Sequence, residues 1–325
     1  MSSIIVPDVL ITDGIQKSGL EILTKRSDIV IDLCRNRLSE EELIDRVVQV
    51  EAILVGTTLI TQRVIDAARI LKVVSRRGVG YDNIDLAALR RRNIPLTIVG
   101  SANASTVAEH TLSFILALAR QTIAYDRATR AGKWRFRESL AAVDLNGKTL
   151  LLVGFGRVGR AVAVRATAFG MRVLVFDPFV PKSVVDELRV GLVEDLLDGL
   201  TTCDFLSVHV PLVPETAGLI GEKELAAMKS TAYIISTARG GVVDEDALLK
   251  ALQMESIRGA GLDVFKEEPL PSNHPFVGLE NVILSPHAAS LTHECAQRMD
   301  EVAARNCLDG IDGNLDPAMI VPNEG

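Results

Sequence analysis

Short apolar runs alternate with longer stretches of helical period along all 325 residues. In the first third the apolar runs predict strands near Asp8–Thr12, Ala52–Val55, Val73–Arg76 and Leu96–Ile98. Helical spacing between them covers Ile15–Lys25, Glu40–Val48, Gln62–Ala67 and Leu86–Arg91. Runs without polar alternation suit strands buried on both faces, and strands alternating with helices make parallel sheets. A small-residue hinge follows at Gly100-Ser101-Ala102-Asn103. Thr106-Val107-Ala108-Glu109 then reads as a capping box opening a helix. That helix is apolar around much of its surface (Val107, Leu112, Phe114, Ile115, Leu116, Leu118), so it should be buried between domains or against another subunit. Further strands are expected at Thr149–Val153, Arg172–Phe176, Asp204–Val208, Tyr233–Thr237, Ala260–Val264 and Val282–Ser285. The last helix, about Thr292 to Asp309, would cross back to the first domain. The expectation is therefore an α/β protein with a discontinuous domain, 1–99 and 288–325, and a second domain over 100–287.

The strand Thr149–Val153 runs straight into Gly154-Phe155-Gly156-Arg157-Val158-Gly159, then a helical pattern, then the strand Arg172–Phe176 and Asp177. Strand, glycine turn, helix, strand and acid together make a dinucleotide-binding signature. Gly154 permits the tight turn, Gly156 lets the backbone approach a pyrophosphate at the helix N-terminus, and Gly159 lets helix and strand pack closely. Asp177 stands 18 residues beyond Gly159, where a carboxylate can hold both ribose hydroxyls. It would repel a 2′-phosphate, so NAD(H) is expected rather than NADP(H).

Composition narrows the remaining classes. A net charge of −7 with dispersed Lys and Arg gives no nucleic-acid surface. The short run Arg90-Arg91-Arg92 is expected on a solvated helix face. Cys34, Cys203, Cys295 and Cys307 form neither a CxxC pair nor a metal spacing, and read as reduced thiols of a cytoplasmic protein. No metal is expected. The N-terminal apolar run has no basic region before it and reads as a first strand rather than a signal peptide. No apolar run approaches the length of a membrane span.

Three polar residues follow strands of the dinucleotide unit, at the edge where open α/β sheets bind ligands. Arg239 follows Tyr233–Thr237, Glu268 lies beyond Phe265, and His287 follows Val282–Ser285. Hydride transfer to a 2-oxo acid needs a proton donor for the oxygen and a cation for the carboxylate; a histidine and an arginine supply them. A carboxylate beside the histidine would keep it protonated for reduction. Each has an ordinary alternative: an exposed turn arginine, a solvated acid before a proline, a strand-end histidine. Glu109 and His110 also sit side by side, and a helix start accounts for both. His209 reads as an adenine-pocket or core histidine, and His274 and His293 as loop and surface residues.

An ordered set of segments carries a resemblance. Gly78-Val79-Gly80-Tyr81-Asp82-Asn83-Ile84-Asp85, Asn103 to His110, Gly154 to Gly159 and His209-Val210-Pro211-Leu212 come first. Thr237 to Asp244, Gly261 to Phe265 with Glu268-Pro269, and Ser285 to Ala289 follow. With matches from about residue 50 to 310, the chain resembles the D-isomer-specific 2-hydroxyacid dehydrogenases. This is the family of D-3-phosphoglycerate dehydrogenase, hydroxypyruvate and glyoxylate reductases and the C-terminal binding protein corepressors. The resemblance implies two Rossmann-like domains with parallel sheets and the active site in the interdomain cleft, usually in a homodimer. It implies NAD as cofactor and a small 2-oxo or 2-hydroxy acid as substrate, with no nucleic-acid or membrane partner. Arg239 would bind the substrate carboxylate and carbonyl, His287 would be the general acid/base, and Glu268 its partner. The Gly78 and Val79 amides would hold the substrate carboxylate. Asp263 would hold the nicotinamide carboxamide, and Val210, Pro211 and Thr216 would border the adenine side. Thr237 and Ala238, with Gly154, Gly156, Arg157, Val158, Gly159 and Asp177, would complete the cofactor contacts.

There are departures. Phosphoglycerate dehydrogenases commonly carry an arginine in the segment aligned with Val55-Gly56-Thr57-Thr58, and this chain has none there. A 3-phosphate would then need Arg76 or Arg77. The chain stops at Gly325, so serine feedback through an additional regulatory domain is not expected. Formate dehydrogenases pair the histidine with glutamine, and Glu268 argues against that activity. The corepressors carry a tryptophan after His-Ala-Ala, where this chain has Ser290. An NAD-dependent dehydrogenase is therefore expected, with an NAD-gated protein-binding module as the alternative.

Overall fold

The computed structural model describes residues 7–322 apart from 35 and 37. The expected domain ends at residues 1 and 325, and the start of the N-terminal apolar run, lie outside the described residues. The chain divides into two compact units, Met1–Asn103 with Leu291–Gly325, and Ala104–Ser290.

The first unit runs β1 (Val9–Ile11), α1 (Lys17–Thr24), β2 (Ile31–Leu33), α2 (Glu40–Val47), β3 (Ala52–Val55), α3 (Gln62–Ala67), β4 (Val73–Arg76), α4 (Leu86–Arg91) and β5 (Leu96–Thr97). Its sheet is parallel, in order β2-β1-β3-β4-β5. The second unit holds α5 (Ala104–Ala119), α6 (Thr122–Arg130), β6 (Thr149–Val153), α7 (Arg157–Ala168), β7 (Arg172–Phe176), α8 (Lys182–Glu187) and β8 (Gly191–Leu192). It continues with α9 (Leu196–Thr202), β9 (Phe205–Val208), α10 (Glu222–Ala227), β10 (Tyr233–Ser236), α11 (Glu245–Gln253), β11 (Gly259–Leu262) and β12 (Val282–Leu284). The last helix, α12 (His293–Asp312), belongs to the first unit.

The second sheet is parallel in order β12-β11-β10-β9-β6-β7-β8. The chain winds outward from β6 on one side and then returns to β9 on the other. That reversal opens a crevice beyond the carboxyl ends of β6 and β9, the usual ligand position of a doubly wound sheet. The core strands are apolar on both faces because helices cover both. Leu151 and Val153 pack with Leu206 and Ile234 on one face, and Leu150 and Leu152 with Phe205 and Tyr233 on the other.

Several sequence expectations need correction. The unit boundaries fall at 103/104 and 290/291 rather than 99/100 and 287/288. Gly100 packs on Met319 and the Ala102 amide bonds to Val99, which holds 100–103 to the first unit. Ala288 and Ala289 donate their amides to Asp263, which holds them to the second. There is no capping box at Thr106, because α5 is already helical from Ala104. Glu109 instead accepts from Ser105 and pairs with Arg165 at 3.3 Å. α5 packs in part within its own unit: Phe114 lies against Gly261 of β11, and Leu112 and Ile115 join the core with Val162 and Ala163 of α7. In the basic run, Arg90 and Arg92 donate to the carbonyls of Pro322 and Ile65, so that run is not wholly solvated.

Candidate active site

The nucleotide turn is built by exclusion of side chains. Gly154 has φ +95°, and a Cβ there would stand 2.8 Å from the carbonyl carbon of His209. At Gly159 a Cβ would meet the Gly154 carbonyl oxygen at 2.3 Å, so α7 and the turn touch backbone to backbone. Gly156 differs: nothing lies within 4 Å of its missing Cβ. The turn is closed on the protein side and open on the other. The first amides of α7 have no partners within the helix and carry the positive end of its dipole. Arg157 and Val158 form its first turn.

Asp177 ends β7 beside this turn. Its carboxylate accepts from the Phe155 amide at 2.8 Å and the Phe179 amide at 2.9 Å. The nucleotide turn and the acid are therefore tied together, and each carboxylate oxygen keeps a lone pair for a ribose hydroxyl. Phe155, Gly156, Arg160, Asp177, Phe179 and Val184 line an open pocket here. This closed-backed turn, open at Gly156, fits a dinucleotide pyrophosphate, and Asp177 fits its ribose.

Across the switch point, β9 ends in His209. Its Nε2 lies 2.8 Å from Ser207 Oγ, and burial pushes its pKa down to about 4. It is a neutral, half-buried histidine beneath the nucleotide turn. Thr216 closes the next loop, accepting from the Val213 amide at 2.9 Å and donating to the Pro211 carbonyl at 2.5 Å, which fixes Val210 and Pro211 at the crevice edge.

The three chemical residues come from three neighbouring strand ends. Arg239 follows β10, with Nη1 donating to the Ala238 carbonyl at 2.7 Å. Thr237 is buried, its hydroxyl 3.1 Å from that of Thr111 on α5. Glu268 accepts from the Phe265 amide at 3.0 Å through one oxygen and meets His287 Nδ1 at 2.7 Å through the other. His287 stays 45% exposed, so this is an accessible acid–imidazole pair. With Nδ1 engaged, Nε2 is the nitrogen left to exchange a proton with a substrate.

Sequence reasoning missed Gly240. A Cβ there would fall 2.0 Å from the carbonyl of Phe265, so the turn after Arg239 lies directly on the loop that leads to Glu268. The Gly-Gly pair after Arg239 was the available signal.

In the first unit, Gly78 and Val79 follow β4. The Gly78 amide is not available as expected: it donates to the Arg76 carbonyl at 2.9 Å, because the chain turns tightly there. Arg76 ties the same loop, donating to Gly80 and Arg77 carbonyls at 2.8 and 2.7 Å. Arg77 lies 3.3 Å from buried Asp300 and donates to Gly14. Asp13 accepts the Gly56 amide at 2.8 Å and the Thr58 amide at 3.3 Å, filling the strand-end segment with a carboxylate. The four cysteines are free and buried. Among the described residues no His, Cys, Asp and Glu group is arranged to hold a metal, and no helix is long and apolar enough to cross a membrane.

Strand order, glycine turn and acid–histidine pair together define an NAD-dependent oxidoreductase of 2-hydroxy acids. The family profile described as D-isomer specific 2-hydroxyacid dehydrogenase, NAD binding domain, matches residues 112–289. A glyoxylate reductase of Thermofilum pendens is 40% identical over 97% of this chain and 94% of that protein. A D-3-phosphoglycerate dehydrogenase of Methanocaldococcus jannaschii is 37% identical over 94% of this chain, which spans only 58% of that longer protein. The crystal structure of a D-lactate dehydrogenase from Aquifex aeolicus complexed with NAD and lactic acid superposes with a TM-score of 0.83. It is 29% identical, covering 94% of this chain and 96% of that one. The chain belongs to the D-isomer specific 2-hydroxyacid dehydrogenase family.

Proposed function

We propose that the chain interconverts a small, unphosphorylated 2-oxo acid of glyoxylate or hydroxypyruvate size and its D-2-hydroxy acid. The observation that carries this reading is the 2.7 Å contact between Glu268 and His287. Gly154, Gly156, Arg157, Val158 and Gly159 would cradle the pyrophosphate, and Asp177 the ribose. Val210, Pro211 and Thr216 would border the adenine side, and Thr237, Ala238 and Asp263 the nicotinamide side. NADH bound there would supply the hydride for the carbonyl carbon. In that direction His287 gives its Nε2 proton to the carbonyl oxygen, and in oxidation it takes the hydroxyl proton back. Glu268 holds Nδ1 and fixes the ring. Arg239 orients the carboxylate and polarises the carbonyl.

The glyoxylate reductase likeness supports a small substrate. So does the engagement of Arg76 and Arg77 with their own backbone and Asp300, which leaves a 3-phosphate poorly matched. A homodimer is proposed on the exposed apolar side chains Ile123, Trp134, Phe136 and Leu140 of one segment, the last 85% exposed. A cytoplasmic location is proposed on the free thiols.

The test is NADH oxidation across glyoxylate, hydroxypyruvate, pyruvate, phenylpyruvate and 3-phosphohydroxypyruvate, repeated with NADPH. Fast turnover of glyoxylate or hydroxypyruvate with NADH is expected. Preference for the phosphorylated acid would overturn the substrate assignment. NADH binding with negligible turnover on every acid would overturn the enzymatic reading.

A further inference from the structure

His287 has φ +52°, a left-handed conformation that histidine adopts uncommonly, so something must hold it there. Three consecutive amides converge on one residue. His287 donates to the Asp263 carbonyl at 2.8 Å, Ala288 to Asp263 Oδ1 at 2.8 Å, and Ala289 to Oδ2 at 2.9 Å. The Asp263 side chain is wholly buried, so the two bonds to its carboxylate oxygens, from Ala288 and Ala289, compensate its desolvation. Asp263 is itself placed from behind. Phe114 of α5 presses on Gly261, where a Cβ would fall 2.8 Å from the ring. One turn earlier, His110 packs edge-on against Phe114 at 4.6 Å. His110 Nε2 is buried without a hydrogen-bond partner, 3.6 Å from Asp263 Oδ1.

We propose that Asp263 is the positioning residue of the acid/base histidine: it clamps the left-handed turn 287–289 so that Nδ1 meets Glu268, with His110 and Phe114 holding the clamp in register. This rests on His287 being the proton donor, and it gives Asp263 a task separate from any contact with the nicotinamide. It also accounts for the buried, unbonded His110 nitrogen, which faces the carboxylate.

The experiment compares Asp263→Ala, Asp263→Asn and His287→Ala in the full chain. It measures kcat and KM for glyoxylate, the Kd for NADH by fluorescence, and amide hydrogen exchange across 286–290. Asp263→Ala should lower kcat about 100-fold, as a misplacement near 1 Å can, a loss well beyond any weakening of NADH from its nicotinamide contact. Exchange across 286–290 should rise. Asp263→Asn still offers one acceptor and should recover part of kcat. Lost NADH affinity with intact kcat would overturn the proposal and leave Asp263 a cofactor contact only. If Asp263→Ala fails to fold, an unchanged kcat in Asp263→Asn overturns it equally. Turnover retained by His287→Ala would instead overturn the assignment of the histidine, and the clamp's purpose with it.

Discussion

Acid should unfold the second unit through His209. The imidazole sits under the nucleotide turn, and desolvation pushes its pKa from 6.5 down to about 4. The folded state therefore binds the proton more weakly than the unfolded chain. The sign follows from linkage: stability is fully present above pH ~6.5 and is lost as pH falls from there towards ~4. A difference of about 2.5 units, at about 1.4 kcal/mol each, gives a loss of about 3 kcal/mol from this one group. That is a large part of the roughly 5–15 kcal/mol that keeps a domain folded. His209→Gln retains a side-chain partner for Ser207 but cannot charge. Urea unfolding of both proteins, followed by circular dichroism at half-unit steps from pH 7.5 to 4, measures the effect. The variant starts less stable at neutral pH, and its deficit should shrink or reverse towards pH 4, the difference between the two curves changing by about 3 kcal/mol. Parallel curves across that range would refute the reasoning, since they would mean His209 protonates as readily folded as unfolded.

Other outcomes follow from the same geometry. Asp177→Ala should weaken NADH roughly tenfold and narrow its advantage over NADPH, read from the Kd values; an unchanged preference would remove Asp177 from the ribose. Glu268→Gln should lower kcat about tenfold or more with the NADH Kd unchanged, since His287 Nδ1 loses its carboxylate partner at 2.7 Å, and an unchanged kcat would break the pairing. Gly159→Ala places a methyl 2.3 Å from the Gly154 carbonyl, so NADH binding should fall at least 100-fold while the circular dichroism spectrum stays α/β; calorimetric binding near the parent's would contradict the close-packing account.

The sequence made the second unit legible almost throughout, because its motifs are local. The strand–glycine–helix–strand–acid unit at 149–177 needs no distant partner to be recognised, and the structure places each part as expected. Strand ends carried Arg239, Glu268 and His287 for the same reason. What escaped depends on long-range packing. Ile31–Leu33 is short and half-polar, and becomes a strand only because β1 offers an edge. The segment 122–139 is polar on average, with few buried residues, yet forms α6 and a 3-10 helix. Asp263 could be read as a cofactor contact, but its three bonds to residues 24–26 positions later are not written in any local pattern. The commitment of the Gly78 amide was equally hidden, since a turn's hydrogen bond depends on dihedrals and not on the residue names.

The return of α12 to the first unit sets an order of events during synthesis. Val9, Leu54 and Val73 bury against Met299, Ala303 and Cys307, with Leu23 of α1 in the same cluster, so this face of the first sheet is only partly covered until that helix exists. The unit's first stretch ends at Asn103 and the helix at Asp312, about 200 residues later. At roughly 5–20 residues per second, a ribosome carries that part-covered apolar face for about 10–40 s. The later, contiguous unit can finish folding first, and the earlier one waits with its hydrophobic side open to chaperones.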